Sequence, residues 1–165
     1  MTTLIPALLD QIIVRYLEPA DADEYVKLEQ DPEVRRFVNG PASKSEEVMR
    51  QDLRLYKQTT EIMAIAETET NAYLGRCGLH PDPLSLESEI YCLIAKTHWR
   101  HGIGRSVVPF LIRLAISQKR IPIGIVDPGN TASKSLLERL GFVSSSVVEA
   151  HGYQNGHLKY LLVAT

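Results

Sequence analysis

The chain has only two cysteines, Cys77 and Cys92. Both lie in apolar segments without C-x-x-C spacing or a neighbouring histidine cluster, which excludes a disulfide framework and leaves no zinc or other metal site. Neither sign of charge dominates. With 18 basic against 20 acidic residues the formal charge is −2, so no global field draws the protein to nucleic acid or to an anionic membrane, and any anion site has to be local. An aromatic-basic stripe of the kind that tracks a nucleic-acid backbone is also missing. The N-terminal MTTLIPALLDQIIV is apolar, yet it lacks a basic leader and meets Asp10 too early for a signal peptide or a membrane span. No repeat or low-complexity linker divides the chain. These absences predict one cytoplasmic domain over residues 1–165, with 44% hydrophobic content to fill a core.

What is present is a succession of short elements. Residues 11–17 (QIIVRYL) form a β-branched run and read as a strand. In PADADEYVKLEQ, Pro19 suits a first helical turn and Asp21 and Asp23 favour the N-terminal dipole. Ala22, Tyr25, Val26 and Glu29 share one face of that helix, and Asp31-Pro32 ends it. A short helix is predicted over residues 33–38, stopped by Asn39-Gly40-Pro41. Ser43 and Glu46 make an S-x-x-E capping box for a helix carrying Met49, Leu53 and Tyr56. Residues 61–67 and 72–79 read as a hairpin and 89–95 as a strand. VVPFLIRLAISQKR reads as an amphipathic helix that Pro109 bends or starts late, since a proline that deep costs about 3 kcal/mol in a straight helix. Residues 121–126 are a strand, 131–140 a helix closed by Gly141, and 142–149 and 158–163 final strands around Asn155-Gly156. Hairpins feeding a strand-helix-strand-helix unit predict an α+β or mixed α/β sheet with helices on its faces.

The stretch HWRHGIGRSV sits where a strand gives way to a helix. Gly102 and Gly104 there let the backbone approach a ligand while free helical N–H groups point outward, which makes a pyrophosphate cradle. Arg100, His101, Arg105 and the Ser106 hydroxyl add charge and hydrogen bonds around it. The competing reading is a tight turn at Gly102 among solvated basic residues. The spacing fits neither a G-x-x-x-x-G-K-[ST] loop nor a dinucleotide fingerprint, which needs a third glycine and an earlier position.

Four segments together, VRYLEPADADEYVKLEQDPEVRRFV, YLGRCGL, EIYCLIAKTHWRHGIG and VDPGNTASKSLLERLGF, resemble the GNAT superfamily of acyl-CoA-dependent N-acetyltransferases. Within it they are most similar to the RimJ/RimL branch, which acetylates ribosomal-protein N-termini. The resemblance implies the GNAT fold, a mixed, mostly antiparallel central sheet splayed at the cofactor strand with helices on both faces. It implies acetyl-CoA as cosubstrate and an amine acceptor, either a protein N-terminus or a small molecule. It implies no metal, no nucleic acid and no membrane, and it allows a homodimer. In the family a Q/R-x-x-G-x-G/A loop holds the coenzyme pyrophosphate. Here Trp99 stands in the first position, with Arg100, His101, Gly102, Ile103, Gly104, Arg105 and Ser106 following.

The resemblance also implies that the strand before the loop presents backbone groups at Cys92, Leu93 and Ile94 to the pantetheine arm. An N–H held there stabilises the oxyanion that develops in acyl transfer. The side chains of Ile90, Cys92 and Ile94 meanwhile alternate as core residues would. Acetylation needs a neutral amine, and therefore a base. Glu89, at the head of this strand, is our candidate, with Glu87 its nearest competitor. The tyrosine many relatives use to protonate the leaving thiolate is replaced by Leu137. Ser133 is then the candidate acid, with Tyr91 and Tyr160 as reserves. Asn130 is an N-cap first and a pantetheine partner second. The lost tyrosine also opens an alternative, a catalytically silent acyl-CoA-binding module.

Overall fold

The β-branched run near the N-terminus becomes β2 (Ile12–Tyr16), and a strand that the sequence reading did not include, β1 (Ala7–Leu9), pairs with it. Asp10 makes the tight connection in the left-handed region at φ +58°. The computed structural model describes residues 5–38, 44–55, 58–148 and 156–163. Ser43 of the expected capping box, the Asn39-Gly40-Pro41 stop, Tyr56 and Asn155 lie outside them.

A 3-10 turn (Pro19–Asp21) leads into α1 (Ala22–Gln30). Residues 32–38 form successive turns rather than the expected short helix. Asp31 opens the segment as a helix N-cap would, its carboxylate accepting from the backbone N–H groups of Glu33 and Val34. The backbone bonds that follow are mixed, Arg35 N to Asp31 O and then the shorter-range Arg36 N to Glu33 O and Val38 N to Arg35 O, so no continuous helical ladder forms. At the start of α2 (Glu46–Leu55) the Ser45 hydroxyl accepts from Val48 N at 3.3 Å. Then come β3 (Met63–Glu67), β4 (Tyr73–Pro81), β5 (Glu87–Ile94), α3 (Ile103–Ser117), β6 (Ile121–Val126), α4 (Thr131–Arg139), β7 (Phe142–Val148) and β8 (His157–Leu162). Pro109 lies inside the 15 residues of α3, which starts at Ile103 without delay; the lost backbone bond is offset by an apolar face that includes Val107, Phe110, Leu111 and Leu114.

The sheet has eight strands in the order β1-β2-β3-β4-β5-β6-β8-β7. Only β5 and β6 run parallel, as expected of a mixed, mostly antiparallel sheet. Alternation along the strands divides the core. Met63, Ile65, Cys77, Leu79 and Ile90 pack with α3 on one face. Ala64 on the other face meets Tyr25 and Val26 of α1 and Met49 and Leu53 of α2, while Leu93 meets Leu28 and Val34.

A buried charge cluster ties α1 to the sheet. Glu29, 4% exposed, accepts from Arg76 Nε and, at 2.7 Å, from Arg35 Nη1. The Arg76 guanidinium lies 5.0 Å from the centre of the Tyr91 ring. Glu29→Ala removes the carboxylate and leaves the Arg76 cation buried, so it is expected to cost about 3–5 kcal/mol. Urea denaturation checks this as a fall in midpoint at constant m-value.

Candidate active site

Strand β5 pairs with β4 over seven residues and with β6 over only three, ending at Glu89↔Ile123. Beyond that point β6 continues with β8 as its partner and the two parallel strands part. The β4–β5 ladder shows which backbone groups the gap exposes. Asp82 N donates to Glu87 O and Ala95 N to Leu74 O, so the odd-numbered residues of β5 bond β4. The even-numbered ones, Ile90, Cys92 and Ile94, turn theirs toward β6. Past the last rung the Cys92 N–H and C=O and the Ile94 N–H therefore face the gap with no strand opposite among the described residues. Of the three positions expected there, Leu93 is corrected: its backbone faces β4 and its side chain is buried toward α1. The Ile94 carbonyl is also taken, by Trp99 Nε1 at 2.8 Å.

The loop after β5 delivers α3 to the mouth of the gap. Arg100 and Gly102 both have positive φ, +65° and +79°, which turns the chain sharply and makes Gly102 the helix N-cap. A side chain at Gly102 would meet nothing within 4 Å; the glycine is there for its backbone conformation and leaves open space over the helix end. At Gly104 a Cβ would lie 3.2 Å from Leu136 Cδ2 of α4. Arg105 N donates back to Gly102 O, so the amides of Gly102, Ile103 and Gly104 carry the open end of the helix dipole. The Ile103 side chain is in the core, whereas Arg100, His101 and Arg105 are exposed and Ser106 is half-buried. A gap edged by free backbone groups, leading to an uncapped helix N-terminus without side-chain obstruction, fits an extended ligand with an anionic end.

On the α1 face the two acids of β5 have different fates. Both Glu87 oxygens are held by Lys159 Nζ, at 2.6 and 2.7 Å. Among the described residues Glu89 has no hydrogen bond; His80 Nδ1 lies 4.0 Å from its Oε2. Burial without a partner pushes the Glu89 carboxyl up to about 7, the range a base needs at neutral pH. His80 stands opposite Glu89 in register, stacked on Tyr91 with ring centres 4.4 Å apart. Burial, followed by the nearby Arg76 charge, lowers its pKa below the ordinary 6.5. No sequence motif marks His80, since it becomes notable only through strand register.

The start of α4 is built as a cap. Asn130 Oδ1 accepts from Ser133 N at 3.1 Å, and Ser133 is half-buried in the first turn. Leu137 is buried over Gly124 of β6, where a Cβ would come within 2.5 Å of Leu137 Cδ1. The position at which the resemblance implies a tyrosine is thus a core contact here. Tyr91 donates to Glu61 O at 2.7 Å and Tyr160 to Glu138 Oε1 at 3.1 Å, so both reserve acids already hold structural bonds. No group of three or more His, Cys, Asp or Glu side chains capable of holding a metal ion occurs among the described residues. Nor is any helix among them long and apolar enough to cross a membrane.

The acetyltransferase (GNAT) domain family matches residues 11–143. The uncharacterized N-acetyltransferase p20 of Bacillus licheniformis is 27% identical over 90% of this chain and 88% of its own. The uncharacterized protein YkkB of Bacillus subtilis is 26% identical over 84% and 86%. Among solved structures, spermidine N-acetyltransferase from Vibrio cholerae, in complex with CoA and spermine, superimposes with a TM-score of 0.77 at 15% identity. That match covers 92% of this chain and 94% of the other. A GNAT acetyltransferase from Bacillus anthracis gives the same TM-score and identity over 93% of both chains. The parted strands, the glycine turn and the family match lead to one conclusion: the chain belongs to the GNAT family and is an acetyl-CoA-dependent acetyltransferase.

Proposed function

We propose that residues 1–165 act as a single RimJ/RimL-like GNAT domain that acetylates the α-amino group of a peptide or protein N-terminus by direct attack in a ternary complex. The observation that carries this reading is Glu89: a partnerless, half-buried carboxylate one strand position before the gap, raised to about 7, beside a Glu87 that Lys159 has neutralised. Acetyl-CoA, when bound, supplies an activated thioester. Cys92 and Ile94 line its path along β5, Trp99 fixes the end of that strand, and the amides of Gly102, Ile103 and Gly104, with Arg100, His101, Arg105 and Ser106 around them, receive the phosphates. The Cys92 N–H is the donor for negative charge developing on the acyl oxygen. Glu89 removes the proton from the incoming ammonium, and Ser133 is the group offered to the departing sulfur.

The acids on the acceptor side favour a lightly charged amine over a polyamine. Glu29 is held by Arg35 and Arg76, Glu33 by Lys96 at 2.7 Å and Glu87 by Lys159, so among the described residues these acids form no concentrated acidic pocket for a polycation. The silent-module alternative is opposed by the acetyltransferase family match and by the presence of both Glu89 and Ser133. Cys77 and Cys92 face one another in register as free thiols, which suits a reducing compartment, and the reading places the enzyme in the cytoplasm.

A short peptide carrying both an α-amine and a lysine tests the acceptor. At pH 7 the α-amine, with a pKa near 8, is neutral about two orders of magnitude more often than lysine. Mass spectrometry after incubation with acetyl-CoA is expected to find the acetyl group on the α-amine. Modification of the lysine alone would overturn the reading.

A further inference from the structure

The β4–β5 register sets His80 directly opposite Glu89, so both side chains rise from the same face of the sheet. His80 Nδ1 lies 4.0 Å from Glu89 Oε2, a separation that one bridging water or a small rotation closes. The imidazole does not swing freely. It stacks on Tyr91 with an interplanar angle of 25°, and Tyr91 is itself fixed, by its hydroxyl bond to Glu61 O and by Arg76 over its ring. Gly78, between Arg76 and His80 on β4, permits this: a Cβ there would lie 2.3 Å from Glu61 O and 2.9 Å from the Tyr91 hydroxyl. Exposure changes sharply across the pair, with the His80 side chain 55% exposed and that of Glu89 21%. The pair therefore runs from the cleft to the solvent.

We propose that His80 is a positioning residue for Glu89 that carries the proton collected in the cleft out to water. This rests on Glu89 being the base. The acceptor ammonium gives a proton to the Glu89 carboxylate, and the neutral amine forms the new C–N bond while the C–S bond breaks. The second proton leaves the nitrogen and reaches the thiolate by way of the Ser133 hydroxyl, which gives one proton to the sulfur and takes that one in return. One proton therefore remains on Glu89; it passes to the His80 imidazole and then to water, restoring both groups for the next turnover. The groups facing the pair are consistent with this traffic. Arg76 from β4 disfavours a lasting imidazolium, its charge is shared with Glu29 from α1, and the neighbouring Glu87 is occupied by Lys159 from β8.

The first test needs no acceptor. NMR titration of the His80 ring is expected to show a broadened curve in wild type, because Glu89 loses its proton over the same range, and in Glu89→Gln a one-proton curve with its midpoint lower by about 0.2–0.4 unit, part of the roughly 0.7 unit that a full charge 4 Å away in a water-like dielectric would give. An unchanged midpoint would overturn the coupling. The second uses acetyl-CoA and a short peptide. His80→Gln is expected to lower kcat about tenfold, less than loss of the base itself, at unchanged acetyl-CoA affinity, and added imidazole buffer is expected to restore it. A His80→Gln enzyme with wild-type kcat and no buffer response would sink the relay alone, while an active Glu89→Gln enzyme would sink the base reading with it.

Discussion

Titration of acetyl-CoA into the Gly104→Glu variant is expected to show affinity reduced on the order of a hundredfold or more. Gly104 is the second residue of α3 and carries one of the three amides left at its open end. A carboxylate on this residue lies within the first turn, where it takes the place of the ligand's phosphates on the helix dipole and repels them. One unit charge at roughly 5 Å in an effective dielectric of about 20 is worth about 3 kcal/mol, and a pyrophosphate carries more than one. The fold should tolerate the change, because an acid suits a helix N-terminus and the near neighbour is the end of the Leu136 side chain, which has to yield by only a few tenths of an ångström. Gly104→Ala is the control, with near-native affinity by calorimetry. A folded Gly104→Glu protein that still binds normally would move the phosphate site elsewhere.

The second large effect is on turnover. Glu89→Gln keeps the shape and removes the base, so kcat is expected to fall about a hundredfold to ten-thousandfold with little change in acetyl-CoA affinity. The wild-type rate should rise with pH through about 7 as the Glu89 carboxyl ionises, and the variant should lose that limb. Stability moves in the opposite direction. The carboxyl rises from an ordinary 4.5 to about 7 on folding, so between these values the native state holds the extra proton and stability declines as pH increases. The decline is complete once the folded group has ionised. Glu89→Gln should therefore melt at a higher temperature than wild type above neutral pH, with little difference under acid conditions. A loss in rate below tenfold, an estimate set under the usual range for a base, would make Glu89 structural.

Legibility in the sequence followed the range of the interactions. The turn at Gly102 was readable because an apolar helix following a strand and a glycine is a local pattern, and the left-handed conformation it needs is a property of that residue. Asn130 was readable as a cap for the same reason, and its side chain does accept from Ser133 N. The three residues of β1 escaped because so short a strand shows no alternation and its connection at Asp10 lacks an Asn-Gly or Asp-Gly signal. The expectation that Cys92, Leu93 and Ile94 would all serve the ligand needed correction because strand polarity decides which amides face the gap, and polarity is set by β4, a separate stretch of chain. His80 is the extreme case: nothing near it in sequence distinguishes it, and its significance arises wholly from standing across from residue 89. The preference for Glu89 over its competitor Glu87 gains its electrostatic ground only from Lys159, contributed by β8, which holds the Glu87 carboxylate.

The short β5–β6 ladder has a mechanical consequence. Three cross-strand pairs join β1–β5 to the β6-β8-β7 unit, against the seven that join β4 to β5, so the sheet carries a built-in seam. Helix α3, lying against β4, β5 and β6, spans that seam like a splint. Thermal breathing of the molecule should concentrate there, as the two half-sheets swing about the Glu87–Glu89 rungs while each half keeps its own ladder. A molecule wedged into the seam then bridges two bodies as well as occupying a site, and its binding free energy is returned as resistance to unfolding.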